Sequence, residues 1–132
     1  MALWLSWRAC LYVDPGRIAA VGFSQGADTA FKAAAAFYPP CSNEDEAELT
    51  MPTLILVGAA DSVTPAADCE LLARNQRGEA KLVVYPGAGH CFDDPAFAGG
   101  RSVMGMTLKY DADAAKRSRR DLGAFLAEML AR

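Results

Sequence analysis

The chain has 132 residues, 52% of them hydrophobic and 22% charged, with a formal net charge of -3. That length suffices for one compact domain with a real core and is too short for two, and the composition excludes disordered, fibrous and membrane-embedded classes. An acidic balance gives no reason to expect a polyanionic partner, and the basic cluster Lys116, Arg117, Arg119 and Arg120 lacks aromatic or glycine neighbours, so it reads as a solvated helix face rather than a nucleic-acid site.

At the amino end, Trp4, Trp7 and Leu11 fall at helical spacing and predict a short amphipathic helix over residues 1–11. The segment is apolar but has neither the basic start nor the long apolar run of a secretory leader. No stretch approaches the roughly 18 consecutive apolar residues of a membrane span, so no membrane partner is expected and the expected location is cytoplasmic. Val13-Asp14-Pro15-Gly16 predicts a turn. The nearly uninterrupted apolar run Arg17–Gly22 predicts a strand buried on both faces, as in a parallel sheet.

Residues 26–39 admit two readings: one helix, or a very short helix followed at once by a strand over Ala33–Tyr38, with Pro39-Pro40 ending either. Ser42–Glu48 is acidic and predicts a surface loop, and Pro52–Gly58 is the clearest strand of the chain. Asp61 falls in the loop behind that strand, and a helix is predicted over Pro65–Arg74. Ala80–Tyr85 predicts a further apolar strand that runs into the loop Pro86-Gly87-Ala88-Gly89-His90. Pro95–Gly105 reads as irregular and glycine-rich. From Asp111 a long helix carries Leu122, Phe125, Leu126, Met129 and Leu130 on one face, with Asp111 or Asp113 as its N-cap. Strands alternating with helices predict an α/β fold, an open and mostly parallel sheet flanked by helices, as a single domain over residues 1–132.

Chemistry concentrates at the ends of the predicted strands. Gly22-Phe23-Ser24-Gln25-Gly26 matches the G-x-S-x-G nucleophile elbow, in which glycines on either side of the serine let the strand and helix backbones approach closely. The motif alone is weak; its place between a strand-like and a helix-favouring run strengthens it. Asp61 could reach the same rim of a parallel sheet, although a loop aspartate capping the next helix is the blander account. Asp68 falls inside that helix and is the poorer candidate. His90, the only histidine, also follows a strand. The order Ser24, Asp61, His90 is that of an α/β-hydrolase triad: nucleophile, orienting acid and base. Four cysteines (Cys10, Cys41, Cys69, Cys91) form no CxxC pair, and with one histidine neither a metal nor a cofactor is expected. Cys41 and Cys69 follow strands that should be neighbours and could approach each other; a disulfide and two thiols both remain open.

The segments DPGRIAAVGFSQG, AAAAFYPPC, PTLILVGAADSVTP and LVVYPGAGHCFDDP, with the helix after Tyr110-Asp111, resemble the carboxy-terminal half of proteins of the dienelactone hydrolase family. The resemblance implies a partial α/β-hydrolase fold with its amino-terminal strands missing. It also implies hydrolysis of a small carboxylic ester or lactone, Ser24, Asp61 and His90 at the triad positions, and the backbone N–H of Gln25 as one oxyanion donor. The dienelactone hydrolases that name the family use a cysteine nucleophile; Ser24 in its place favours a general esterase-like role. The segment Gly26–Pro39 is shorter than its counterparts, consistent with a deletion. A nucleophile strand without its usual neighbours would present an apolar edge, so a homodimer through that edge is expected. A second expectation, from a different class, is a catalytically incomplete, non-enzymatic remnant.

Overall fold

The computed structural model describes residues 14, 16–23, 33–42, 49–76 and 80–131. The predicted helix over residues 1–11, the helical part of residues 26–39, and both Ser24 and Gln25 lie outside the described residues.

The main sheet has four parallel strands in the order β1 (Ala19–Phe23), β2 (Ala33–Phe37), β3 (Thr53–Gly58), β4 (Ala80–Tyr85). The strand alternative for residues 33–38 is therefore the correct one. An alanine-rich run that favours helix locally is held extended because it pairs on both sides, Ala33–Phe37 with Ala19–Phe23 and Ala34–Phe37 with Thr53–Leu56. Small side chains there also leave room for the bulkier residues of β3.

Strand β3 is central, and all six of its residues are buried. Its alternation divides the core. Leu54 and Leu56 pack with Phe37, Tyr85, Phe92, Phe125 and Met129 on the face covered by helix α2 (Ala112–Ala131). Ile55 and Val57 pack with Cys41, Cys69 and Leu72 on the face covered by helix α1 (Ala66–Asn75). Each helix shields one face, which is why β3 reads as an unbroken apolar run in the sequence. Of the two possible caps of α2, Asp111 is the one used, its carboxylate accepting the Ala114 N–H at 2.9 Å. The buried stripe of α2 begins earlier than its large residues suggest, at Ala114, Ala115 and Ser118.

Residues 95–105 are more ordered than expected. Pro95–Phe97 forms a single 3₁₀ turn capped by Asp94. Strands β5 (Arg101–Val103) and β6 (Met106–Leu108) then form an antiparallel hairpin. Its two-residue turn has φ 51 at Met104 and φ 80 at Gly105, the geometry of a type I′ turn. Methionine stands where asparagine would have advertised that turn, and three-residue strands are too short to show an alternation.

Cys41 and Cys69 form a disulfide with their Cα atoms 5.0 Å apart. It ties the segment after β2 to α1. Among the described residues β1 pairs with β2 alone, and Val21 and Phe23 are exposed.

Candidate active site

All four strands of the main sheet point the same way, so the segments that follow them emerge at one rim. After β3 the chain turns sharply, and Asp61 organises the turn. Its Oδ1 accepts the N–H groups of Val63 at 2.8 Å and Thr64 at 2.9 Å, an Asx-type closure that fixes the carboxylate. The bland account of Asp61, a surface aspartate capping the next helix, does not hold: α1 has no side-chain cap and Asp61 is buried, so this oxygen closes the turn instead. The other is turned to His90, whose Nδ1 lies 2.8 Å from Oδ2. Aspartate and histidine are each only 6% exposed.

His90 arrives at Asp61 because the loop after β4 folds back over the end of β3. The Ala59 N–H donates to the Tyr85 carbonyl and the Ala60 N–H to the Ala88 carbonyl, each at 2.9 Å. Gly58 permits that crossing: a Cβ there would overlap the Ala88 carbonyl. Beyond the histidine, its carbonyl accepts the Lys109 N–H at 3.1 Å, the Phe92 carbonyl accepts the Asp111 N–H at 2.9 Å, and the Phe92 side chain is fully buried. The imidazole loop is pinned on both sides.

Electrostatics follow from these contacts. Burial by itself would raise the Asp61 pKa, but the hydrogen bonds from His90, Thr64 and Val63 outweigh it and hold the carboxyl below its ordinary value near 3.8. Asp61 is therefore a carboxylate at neutral pH and can only accept, which assigns the Nδ1 proton to His90. The Thr64 hydroxyl donates to Asp61 Oδ2 at 2.9 Å and lies 3.3 Å from His90 Nδ1 and from the Tyr38 carbonyl. Burial raises the thiol of Cys91, next to the histidine; a hydrogen bond with Tyr38 opposes the shift, and the carboxylates of Asp93, Asp94 and Asp61 add to it. Among the described residues no group of three His, Cys, Asp or Glu side chains is arranged to hold a metal ion.

Of the residues singled out in the sequence, Asp61 and His90 meet, and Asp68 sits apart on α1. Ser24 and Gln25 lie outside the described residues; β1 ends at Phe23, immediately before the serine, at the same rim. Thr64 and Tyr38 are additions. Thr64 had a readable signal, a hydroxyl residue three positions after a loop aspartate. Tyr38 had the same one as Asp61 and His90, a polar side chain just past a strand.

Sheet direction, flanking helices and the acid and histidine at the carboxyl rim define a partial α/β-hydrolase fold. The chain belongs to the dienelactone hydrolase family, whose model matches residues 2–130. Its fold is similar to that of a candidate dienelactone hydrolase from Klebsiella pneumoniae, with a TM-score of 0.69 and 24% identity over 92% of this chain and 56% of that one. It is likewise similar to esterase 2 of Thermogutta terrifontis phosphorylated by paraoxon, with a TM-score of 0.60 and 20% identity over 91% of this chain and 57% of the esterase. The same esterase bound to propionate gives a TM-score of 0.58, also at 20% identity. The chain thus spans less than two thirds of each of these proteins, and no curated protein matches it.

Proposed function

We propose that this chain carries the catalytic residues of a serine hydrolase that cleaves a small carboxylic ester or lactone through an acyl-enzyme on Ser24. The observation that carries the reading is the buried Asp61–His90 pair, with Nδ1 and Oδ2 2.8 Å apart at the strand-end rim. With Nδ1 committed to the carboxylate, Nε2 is the nitrogen that takes the Ser24 hydroxyl proton as Oγ attacks the carbonyl carbon. His90 returns the proton to the leaving oxygen, the ester bond breaks, and the acyl group stays on Oγ. Water, deprotonated by the same imidazole, then releases the acid. Asp61 holds the tautomer and stabilises the imidazolium. The Gln25 N–H donates to the oxyanion.

Membership of the dienelactone hydrolase family and the fold shared with an esterase support this reading. The test is fluorophosphonate labelling of the purified chain, read by intact mass, beside Ser24→Ala. The expected result is one adduct that is absent from the variant. No adduct on a folded sample would favour the second reading, a catalytically incomplete remnant.

The partner side of the proposal is a homodimer through β1, which among the described residues pairs with β2 alone and whose Val21 and Phe23 are 41% and 52% exposed. Light scattering is expected to give at least twice the monomer mass; a monodisperse monomer with a sharp thermal transition refutes it. No described helix is long and apolar enough to cross a membrane. The cytoplasmic location proposed from the sequence stands against the Cys41–Cys69 disulfide, since such bridges persist mainly in oxidising compartments.

A further inference from the structure

One hydrogen bond does not orient an imidazole. The torsion that turns the ring about Cβ–Cγ is broad, so Asp61 at one edge of His90 leaves the ring plane to be set by something else. The Tyr38 ring lies against it, centroids 4.5 Å apart and planes inclined by 55°. Tyr38 is itself held in an unusual way. It is a bulky residue at φ 39, a left-handed backbone conformation that such side chains rarely adopt. Its N–H donates to the Leu56 carbonyl at 2.7 Å and its hydroxyl donates to Asp93 Oδ1 at 2.9 Å. Core packing against Phe37 and Phe92 would require neither the left-handed backbone nor a carboxylate partner. Asp93 stands three residues beyond His90, so the Tyr38–Asp93 bond ties the histidine's own loop to the end of β2, the strand beside β1.

We propose that Tyr38, anchored through its hydroxyl to Asp93, is a positioning residue that holds the His90 imidazole in the plane and tautomer required by its bond to Asp61. The functional consequence rests on the reading of His90 as the base; the structural one does not. The tyrosine remains protonated throughout, because burial and the Asp93 carboxylate both push its pKa up, so it acts by shape and by its hydroxyl bond.

His90 is the chain's only histidine, which makes its ring signals in nitrogen-resolved NMR unambiguous. In the full chain the Nδ1–H tautomer is expected to dominate, with an Nδ1 proton that exchanges slowly with water. Tyr38→Phe keeps the ring and deletes the anchor. Its Nδ1 proton is expected to exchange at least about tenfold faster, with the other tautomer detectable, and kcat on a p-nitrophenyl ester to fall about 10- to 100-fold with KM nearly unchanged. Asp93→Ala removes the same bond from the half-buried side and is expected to match it; it also serves if Tyr38→Phe does not fold. The double variant is then no worse than either single one. Folded variants with wild-type tautomer and exchange overturn the positioning role. If the wild-type chain neither labels nor hydrolyses, the hydrolase reading fails while the NMR comparison still decides this one.

Discussion

Removing the Cys41–Cys69 bridge should cost this protein a large part of its stability. The bridged residues are 28 apart in sequence. In the chain-entropy account a loop of that size loses about 12 cal/mol/K of unfolded-state entropy, or about 3.6 kcal/mol at 25 °C. A domain of this length has roughly 5–15 kcal/mol to lose. Reduction by a phosphine is the cleanest perturbation, because both sulfur atoms stay in the Ile55, Val57 and Leu72 cluster and only the covalent constraint goes. With a urea m-value of about 2 kcal/mol/M, the unfolding midpoint should fall by about 1.8 M. Cys41→Ala/Cys69→Ala should fall somewhat further, through the cavities left behind. A thiol count on the unfolded, unreduced protein gives the starting state. Equal midpoints and m-values with and without reductant, in a sample shown to carry the bridge, would refute the reasoning: the 28-residue loop would then be constrained in the unfolded chain already.

Gly58→Val should destabilise by about 1–3 kcal/mol, because its side chain must displace the Ala88 carbonyl. It should also slow fluorophosphonate labelling by moving His90; a variant with wild-type Tm and labelling rate counts against the crossing as the device that places His90. Stability should depend on pH at both extremes. Asp61 has a lowered folded pKa, so its contribution is complete above about 3.8 and is lost as pH falls through the folded value. Tyr38 and Tyr85 are raised above their ordinary 10.0, first by burial and then by Asp93 and Asp121 respectively. Their contribution is complete below pH 10 and is lost as pH rises beyond it. Urea midpoints across pH test both limbs, and Asp61→Asn should flatten the acid one; an unchanged acid slope in that variant refutes the assignment.

How much of this was legible in the sequence depends on the range of the interaction. Strands β3 and β4 and helix α2 stand out because burial on both faces, or on one stripe, writes itself into neighbouring residues. The β2 strand did not, since Ala33–Ala36 favours a helix until flanking strands pair with it. The β5–β6 hairpin was missed because its turn depends on φ at Met104 and Gly105, not on composition. The site divides along the same line. Asp61 and His90 stand out because strand-end position and residue type coincide. Tyr38 shared the position, but its role rests on contacts to Asp93 and His90, 55 and 52 residues further along the chain.

The Asp61–His90 pair is held by contacts among the described residues. Asp61 is fixed by its own turn and Thr64, and His90 by the crossing over Gly58, the Lys109 bond and the buried Phe92. Changing Ser24 should leave the Asp61–His90 geometry intact, so a Ser24→Ala protein that loses its label should keep its histidine tautomer. An aspartate–histidine pair assembled by loops after β3 and β4 is a preorganised electrostatic unit, and the rate of the reaction proposed here then depends on how closely the segment after β1 brings Ser24 Oγ to it.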